Sequence, residues 1–132
     1  MTTGVKIESQ DDVGIILWFE SMSMYREQLL FVCSRNQWRS PTAAALFDRS
    51  ERHSAKSAGT SDSARIKITP GLINWADRIF VMEKRHAAIL QRNYPDLIAE
   101  KAVIVLHISD DYQYQDPELI EILESRLAEY LE

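Results

Sequence analysis

Short apolar runs alternate with segments of helical period along most of this chain, and that order leaves few folds open. Residues 28–33 (QLLFVC) read as a buried strand, and 41–52 as a helix whose Ala43, Ala44, Leu46 and Phe47 supply apolar contacts. A weak strand at 56–58 precedes Gly59, and 61–67 form a polar connection. Thr69-Pro70 opens a short helix, with threonine as N-cap and proline at the first helical position, and Leu72, Ile73 and Trp75 facing inward. A buried strand at 78–82 (RIFVM) leads into a helix over 83–94, which Pro95 stops. Residues 101–108 (KAVIVLHI) make the strongest strand. Asp116-Pro117 opens a last helix, where Leu119, Ile120, Leu123, Leu127 and Leu131 recur at helical spacing. Strands alternating with helices imply crossover connections, a parallel sheet and helices on both of its faces.

In such a sheet the ligand sits beyond the carboxyl ends of the strands. The loop after the first strand is Cys33-Ser34-Arg35-Asn36-Gln37-Trp38-Arg39-Ser40-Pro41. Five residues separate the cysteine from the arginine, enough for the backbone to curl around one tetrahedral anion with successive N–H groups turned inward. Ser40 is a good N-cap and Pro41 a good first helical residue, so the following helix would add its positive end. These groups favour a thiolate at Cys33, the nucleophilic form. Arg39 is planar and always charged, and can hold two phosphoryl oxygens together. The Ser40 hydroxyl can hydrogen-bond the sulfur. A bare match to this spacing is weak; the apolar strand before it and the Ser-Pro start after it give it force.

The charge is uneven. The chain is −5 overall, yet residues 28–67 carry seven basic and three acidic side chains, a balance of +4. A basic third in an acidic chain suits a small anionic ligand better than a nucleic-acid surface. One cysteine excludes an internal disulfide, a paired-thiol redox motif and a multi-cysteine zinc site. The three histidines are scattered without metal-ligand spacing, so no metal or cofactor is expected. His107 reads as a structural histidine at a strand end, and His53 and His86 as helix-end and helix-surface residues. No apolar run approaches the ~20 residues that span a bilayer. Nor does the N-terminus carry a basic region followed by a long apolar stretch. The expectation is a soluble cytoplasmic protein with no membrane or nucleic-acid partner. Residues 1–23, with a short apolar run at 15–19, read as an extension of unknown role before an α/β domain over 24–132.

The stretch LLFVCSRNQWRSPTAAALF resembles the low-molecular-weight protein tyrosine phosphatases, and within them a short bacterial subgroup. SAGT (57–60), WADRIFVMEKRH (75–86) and ISDDYQYQDPEL (108–119) follow in the family's order. The resemblance implies a four-stranded parallel sheet flanked by helices, and phosphotyrosine hydrolysis through a phosphocysteine without metal. It assigns Cys33 as nucleophile, Arg39 as the phosphate-binding arginine, Asn36 as a left-handed residue bracing the loop and Ser40 as the aid to the thiolate. Ser34, Arg35, Gln37 and Trp38 complete the phosphate-binding loop. Arg35 stands where the family often has glycine, and Trp38 where it often has a second cysteine. A glutamate common early in the next helix is replaced by Ala44.

A leaving alkoxide or phenoxide needs a proton donor. The resemblance supplies one from a loop near the C-terminus and places it on Asp110, with Tyr112 lining the pocket beside Trp38. Asp111 ranks second. Asp116 ranks third, because capping the last helix explains it fully. Two other readings use the same loop: an arsenate reductase, whose thioredoxin-coupled versions need more cysteines, and a non-enzymatic phosphate or phosphopeptide binder.

Overall fold

The structure is a computed structural model and describes residues 26–48 and 50–131. The expectations for residues 1–23 lie outside the described residues. The elements are β1 (Glu27–Cys33), α1 (Arg39–Phe47), β2 (His53–Gly59), α2 (Pro70–Trp75), β3 (Arg78–Val81), α3 (Lys84–Asn93), α4 (Pro95–Ile98), β4 (Ala102–Val105) and α5 (Pro117–Leu127). The strands form one parallel sheet in the order β2-β1-β3-β4.

Side chains alternate across β1 because a strand has a period of two. Leu29, Phe31 and Cys33 join one buried cluster with Ala43 of α1 and Leu119, Leu123 and Leu127 of α5. Leu30 and Val32 join the other, with Ile73 of α2, Leu90 of α3 and Ile98 of α4. The sheet is therefore covered on both faces, as the alternating pattern implies. Two caps act as read from the sequence. Thr69 accepts a hydrogen bond from Leu72 N–H at 3.1 Å, and Asp116 accepts one from Glu118 N–H at 2.9 Å.

Other boundaries move, each for a physical reason. β2 runs over seven residues rather than three, because its backbone pairs with β1 from Glu27↔His53 to Cys33↔Gly59. Small side chains hide that pairing from a hydropathy pattern. β4 stops at Val105, although Leu106 and Ile108 remain buried and donate N–H bonds to Val81 O and Met82 O at the end of β3. The long apolar run thus reflects burial beyond the regular strand. Pro95 starts the single-turn α4 as well as ending α3, since proline suits a first helical position. α1 begins at Arg39, and its N-cap is Trp38 with no side-chain bond, so Ser40 is not the cap. No helix among the described residues is long and apolar enough to cross a membrane.

Candidate active site

β1 delivers Cys33 to the edge of the sheet, and the chain then arcs through residues 34–38 into α1. Gly59 lets the end of β2 lie against the start of this arc; a Cβ there would stand 2.5 Å from Ser34 O. The segment after β2 then binds the arc from outside. Thr60 N–H donates to Cys33 O, Ser61 N–H to Ser34 O and Arg65 N–H to Arg35 O, at 2.9–3.0 Å. The Arg65 Nε–H donates to Asn36 O at 3.0 Å. In a trans peptide the carbonyl and the following N–H point opposite ways. Four successive carbonyls drawn outward therefore turn the N–H groups of residues 34–37 inward. Among the described residues, no protein acceptor meets these groups. Asn36 holds the turn at φ 57°, a left-handed conformation that asparagine tolerates.

Beneath the arc the Cys33 Sγ lies 3.0 Å from Ser40 Oγ. Asn36 Nδ2 donates to the same oxygen at 3.0 Å, and Ala58 O lies 3.3 Å away. With Asn36 donating, the hydroxyl proton is free to point at the sulfur, the nearer of its two acceptors. Ser40 thus spends its hydroxyl on the cysteine, which is why it does not cap α1.

Arg39 is almost fully buried. Its Nη1 donates to Ile108 O at 2.8 Å and to the Glu83 carboxylate, and its Nε lies 3.6 Å from Asp110 Oδ1. Protein groups grip one end of the guanidinium, and Nη2 has no partner among the described residues. Glu83 follows β3 and also accepts from Arg85 Nε at 3.0 Å. Hydrogen bonds from Arg85, then from Arg39, hold its carboxyl well below the usual range, at about 2, against the opposing cost of burial.

His86 completes the brace. Glu83 N–H donates to His86 Nδ1 at 3.0 Å, so Nε2 carries the proton and can donate to Ser34 Oγ at 2.9 Å. Burial, and then the charges of Arg39 and Arg85, push the imidazole down to about 4, so it is neutral at pH 7. The expected helix-surface position does not hold: His86 is fully buried, as the third residue of the capping box that opens α3. His53 is likewise buried at the start of β2, whereas His107 is exposed with φ 58°.

A cavity of about 340 Å³ opens over the sulfur, walled by Cys33, Ser34, Arg35, Gln37, Trp38 and Arg39 of the arc, with Arg85 and Asp110 opposite.

Neither the protein-family models nor the curated proteins match this chain. Solved structures do. The tyrosine phosphatase Wzb from Escherichia coli K30 in complex with phosphate is 21% identical, with a TM-score of 0.63 over 80% of this chain and 96% of that one. The low molecular weight protein tyrosine phosphatase from Streptococcus pyogenes is 16% identical, with a TM-score of 0.60 over 80% and 94%. The YwlE arginine phosphatase from Geobacillus stearothermophilus is 21% identical, with a TM-score of 0.58 over 78% and 91%. The fold is that of the low-molecular-weight phosphatases.

Within this fold the expected residues separate by position. Cys33, Ser34, Arg35, Gln37, Trp38, Arg39 and Asp110 face the cavity. Asn36 and Ser40 are fully buried beneath it, where they brace rather than contact a ligand. Tyr112, expected on the pocket wall, is not part of it; its ring packs against the apolar cluster on the α1–α5 face. Asp111 accepts from Ser109 Oγ at 2.7 Å outside the cavity, and Asp116 is engaged in capping α5. Among the described residues no cluster of three or more histidine, cysteine or acidic side chains is arranged to hold a metal.

Sequence reasoning missed Gly59, Glu83, Arg85 and His86. One signal was available: Glu83-x-x-His86 follows directly on an apolar strand, at the ligand edge of the sheet.

Proposed function

We propose that this protein hydrolyses phosphomonoesters, with phosphotyrosine or a related aryl phosphate as substrate, through a phosphocysteine. The observation that carries this reading is the ring of inward N–H groups over the Cys33 sulfur, with the Arg39 guanidinium held beside it. The Cys33 thiolate attacks phosphorus, and the bond to the leaving oxygen breaks as Asp110 gives that oxygen a proton. Water then attacks the phosphocysteine; Asp110 takes its proton, and the sulfur leaves as thiolate with the Ser40 hydroxyl hydrogen-bonded to it. Arg39 and the amides hold the three phosphoryl oxygens as charge spreads over them in the transition state.

Asp110 is preferred as acid because it lies on the cavity wall beside Arg39, whereas Asp111 and Asp116 are bonded elsewhere. The exposed face of Trp38 suits an aromatic leaving group. Names of similarly folded structures point the same way, since they are phosphatases of tyrosine or arginine phosphate. A thiol nucleophile needs reducing surroundings, so we place the protein in the cytoplasm.

Cys33→Ser should lower turnover of p-nitrophenyl phosphate by at least about 10⁴-fold, while phosphate or vanadate still binds. Turnover by that variant at the unsubstituted rate would sink the nucleophile assignment.

A further inference from the structure

The cavity holds more positive charge than one phosphoryl group needs. Three guanidinium groups, of Arg35, Arg39 and Arg85, face a single carboxylate, that of Asp110. Arg39 is committed to the phosphoryl group. Arg85 is half-exposed and fixed in place by Glu83, through Nε at 3.0 Å and Nη2 at 3.3 Å. That same carboxylate also pairs with Arg39, so one negative charge serves two cations. Arg35 is exposed, and among the described residues its side chain has no hydrogen bond or ion pair. An acid that gives up a proton to the leaving group enters the reaction neutral, which leaves the Glu83 carboxylate and the Cys33 thiolate to oppose the three guanidinium groups.

Beyond the Gln37–Trp38 wall lies a second groove of about 370 Å³, lined also by Pro41, Arg65 and Tyr114. Trp38 is 39% and Tyr114 51% exposed, so two aromatic faces and a further arginine continue the surface away from the cavity. A small ester would end at the cavity. An extended peptide would cross the Trp38 wall and meet Arg65 on the far side, and an acidic peptide would match all three exposed arginines.

We propose that the mouth of the cavity is a second-anion site, in which Arg35 and Arg85 bind an acidic side chain adjoining the phosphorylated residue of a peptide substrate. This proposal rests on the phosphomonoester reading above. Exposed ion pairs of this kind are individually weak and screened by salt, so two together give a preference of about tenfold at low ionic strength.

The test is titration of the Cys33→Ser variant with two phosphotyrosine peptides, one flanked by glutamates and one by alanines. The acidic peptide should bind about tenfold tighter, and the ratio should fall to about two or less at ~0.5 M salt. It should fall as far in the Arg35→Gln/Arg85→Gln background. Because the readout is a ratio, any general loss of phosphate affinity cancels. Equal affinities before substitution, or a preference that survives both substitutions, would overturn the site. Carboxyphenyl phosphate favoured over phenyl phosphate by the same factor would assign the second anion to a small molecule and overturn the peptide. A tenfold peptide preference in a protein that leaves p-nitrophenyl phosphate intact would support this site and refute hydrolysis; turnover with a ratio of one would do the reverse.

Discussion

Two loops meet at the cavity, and they are built in opposite ways. The arc from Cys33 to Ser40 is bonded at nearly every step. Its carbonyls are held from outside by the chain after β2, and Asn36, Arg39 and Ser40 are buried at its base. The loop from Leu106 to Asp116 is tied mainly at its ends, by Ile108 O to Arg39 and by Gln115 N–H to Thr42 Oγ1 at 2.9 Å. Between these ties Ser109, Asp110 and Asp111 are exposed. Left-handed residues bracket it, His107 at φ 58° and Gln115 at φ 63°. A phosphate cradle gains from preorganised donors that need no rearrangement during reaction. A proton donor must let the leaving group in and out, and a loosely tied loop permits that.

The largest expected difference between the loops lies in the chemistry. Asp110→Asn should lower kcat for an alkyl or poorly activated aryl phosphate by about 10²–10⁴-fold, since such leaving groups require a proton. Asp111→Asn, outside the cavity, should change kcat by less than about threefold. Phosphate affinity should not fall in either, because the inward N–H groups lie on the arc and the Ile108 carbonyl that holds Arg39 is untouched by both substitutions. The two effects exchanged between positions would show that the loop closes with Asp111 inward.

The brace behind the cradle should reveal itself through pH. His86 titrates at 6.5 when unperturbed and near 4 in the fold, where burial is the first cause. The folded state therefore binds fewer protons between these values. Its contribution to stability is complete above pH 6.5 and is lost as pH falls towards 4, by about 3 kcal/mol. Glu83 acts in a lower window, between 4.5 and about 2. Urea midpoints measured from pH 7 to 4 should decline in the unsubstituted protein and decline much less in His86→Gln. Equal slopes in both would mean that the imidazole is not the group being protonated.

The same contrast explains what could be read in advance. The Cys33–Arg39 spacing, the apolar β1 and the caps at Thr69 and Asp116 are local signals, and local geometry enforces them. The order of the α/β elements followed from such signals, and the low-molecular-weight phosphatase fold from the resemblance of residues 29–47 and the stretches after them. β2 was seen only in part because backbone pairing with β1, rather than side-chain hydropathy, extends it to His53. Glu83, Arg85 and His86 escaped notice because their roles arise only when the end of β3 is set beside that of β1. The acidic partner of Arg39 is Glu83, which comes from the end of β3, a different element from the one that carries the arginine. Asp110 and Asp111 were hard to separate because where β4 leaves the sheet decides which one faces the cavity. Tyr112 is adjacent to them in sequence but turns to the core.

The smallest effect probes how closely the cradle is supported. At Gly59 an added methyl would stand 2.5 Å from Ser34 O and 2.7 Å from Ala64 Cβ, and the first of these is backbone that cannot rotate away. Gly59→Ala should destabilise by about 1–3 kcal/mol and displace the first carbonyls of the arc, lowering phosphate affinity as well. Gly71 sits in α2 with open space around it, the nearest atom being Thr69 Oγ1 at 3.8 Å. Gly71→Ala should stabilise by roughly 0.5–1 kcal/mol, because alanine loses less backbone entropy in a helix, and should leave phosphate affinity alone. Opposite signs in urea unfolding, with affinity lost only at Gly59, would tie the cradle's shape to its contact with β2. A Gly59→Ala protein that keeps full affinity would show that the arc holds its form without that support.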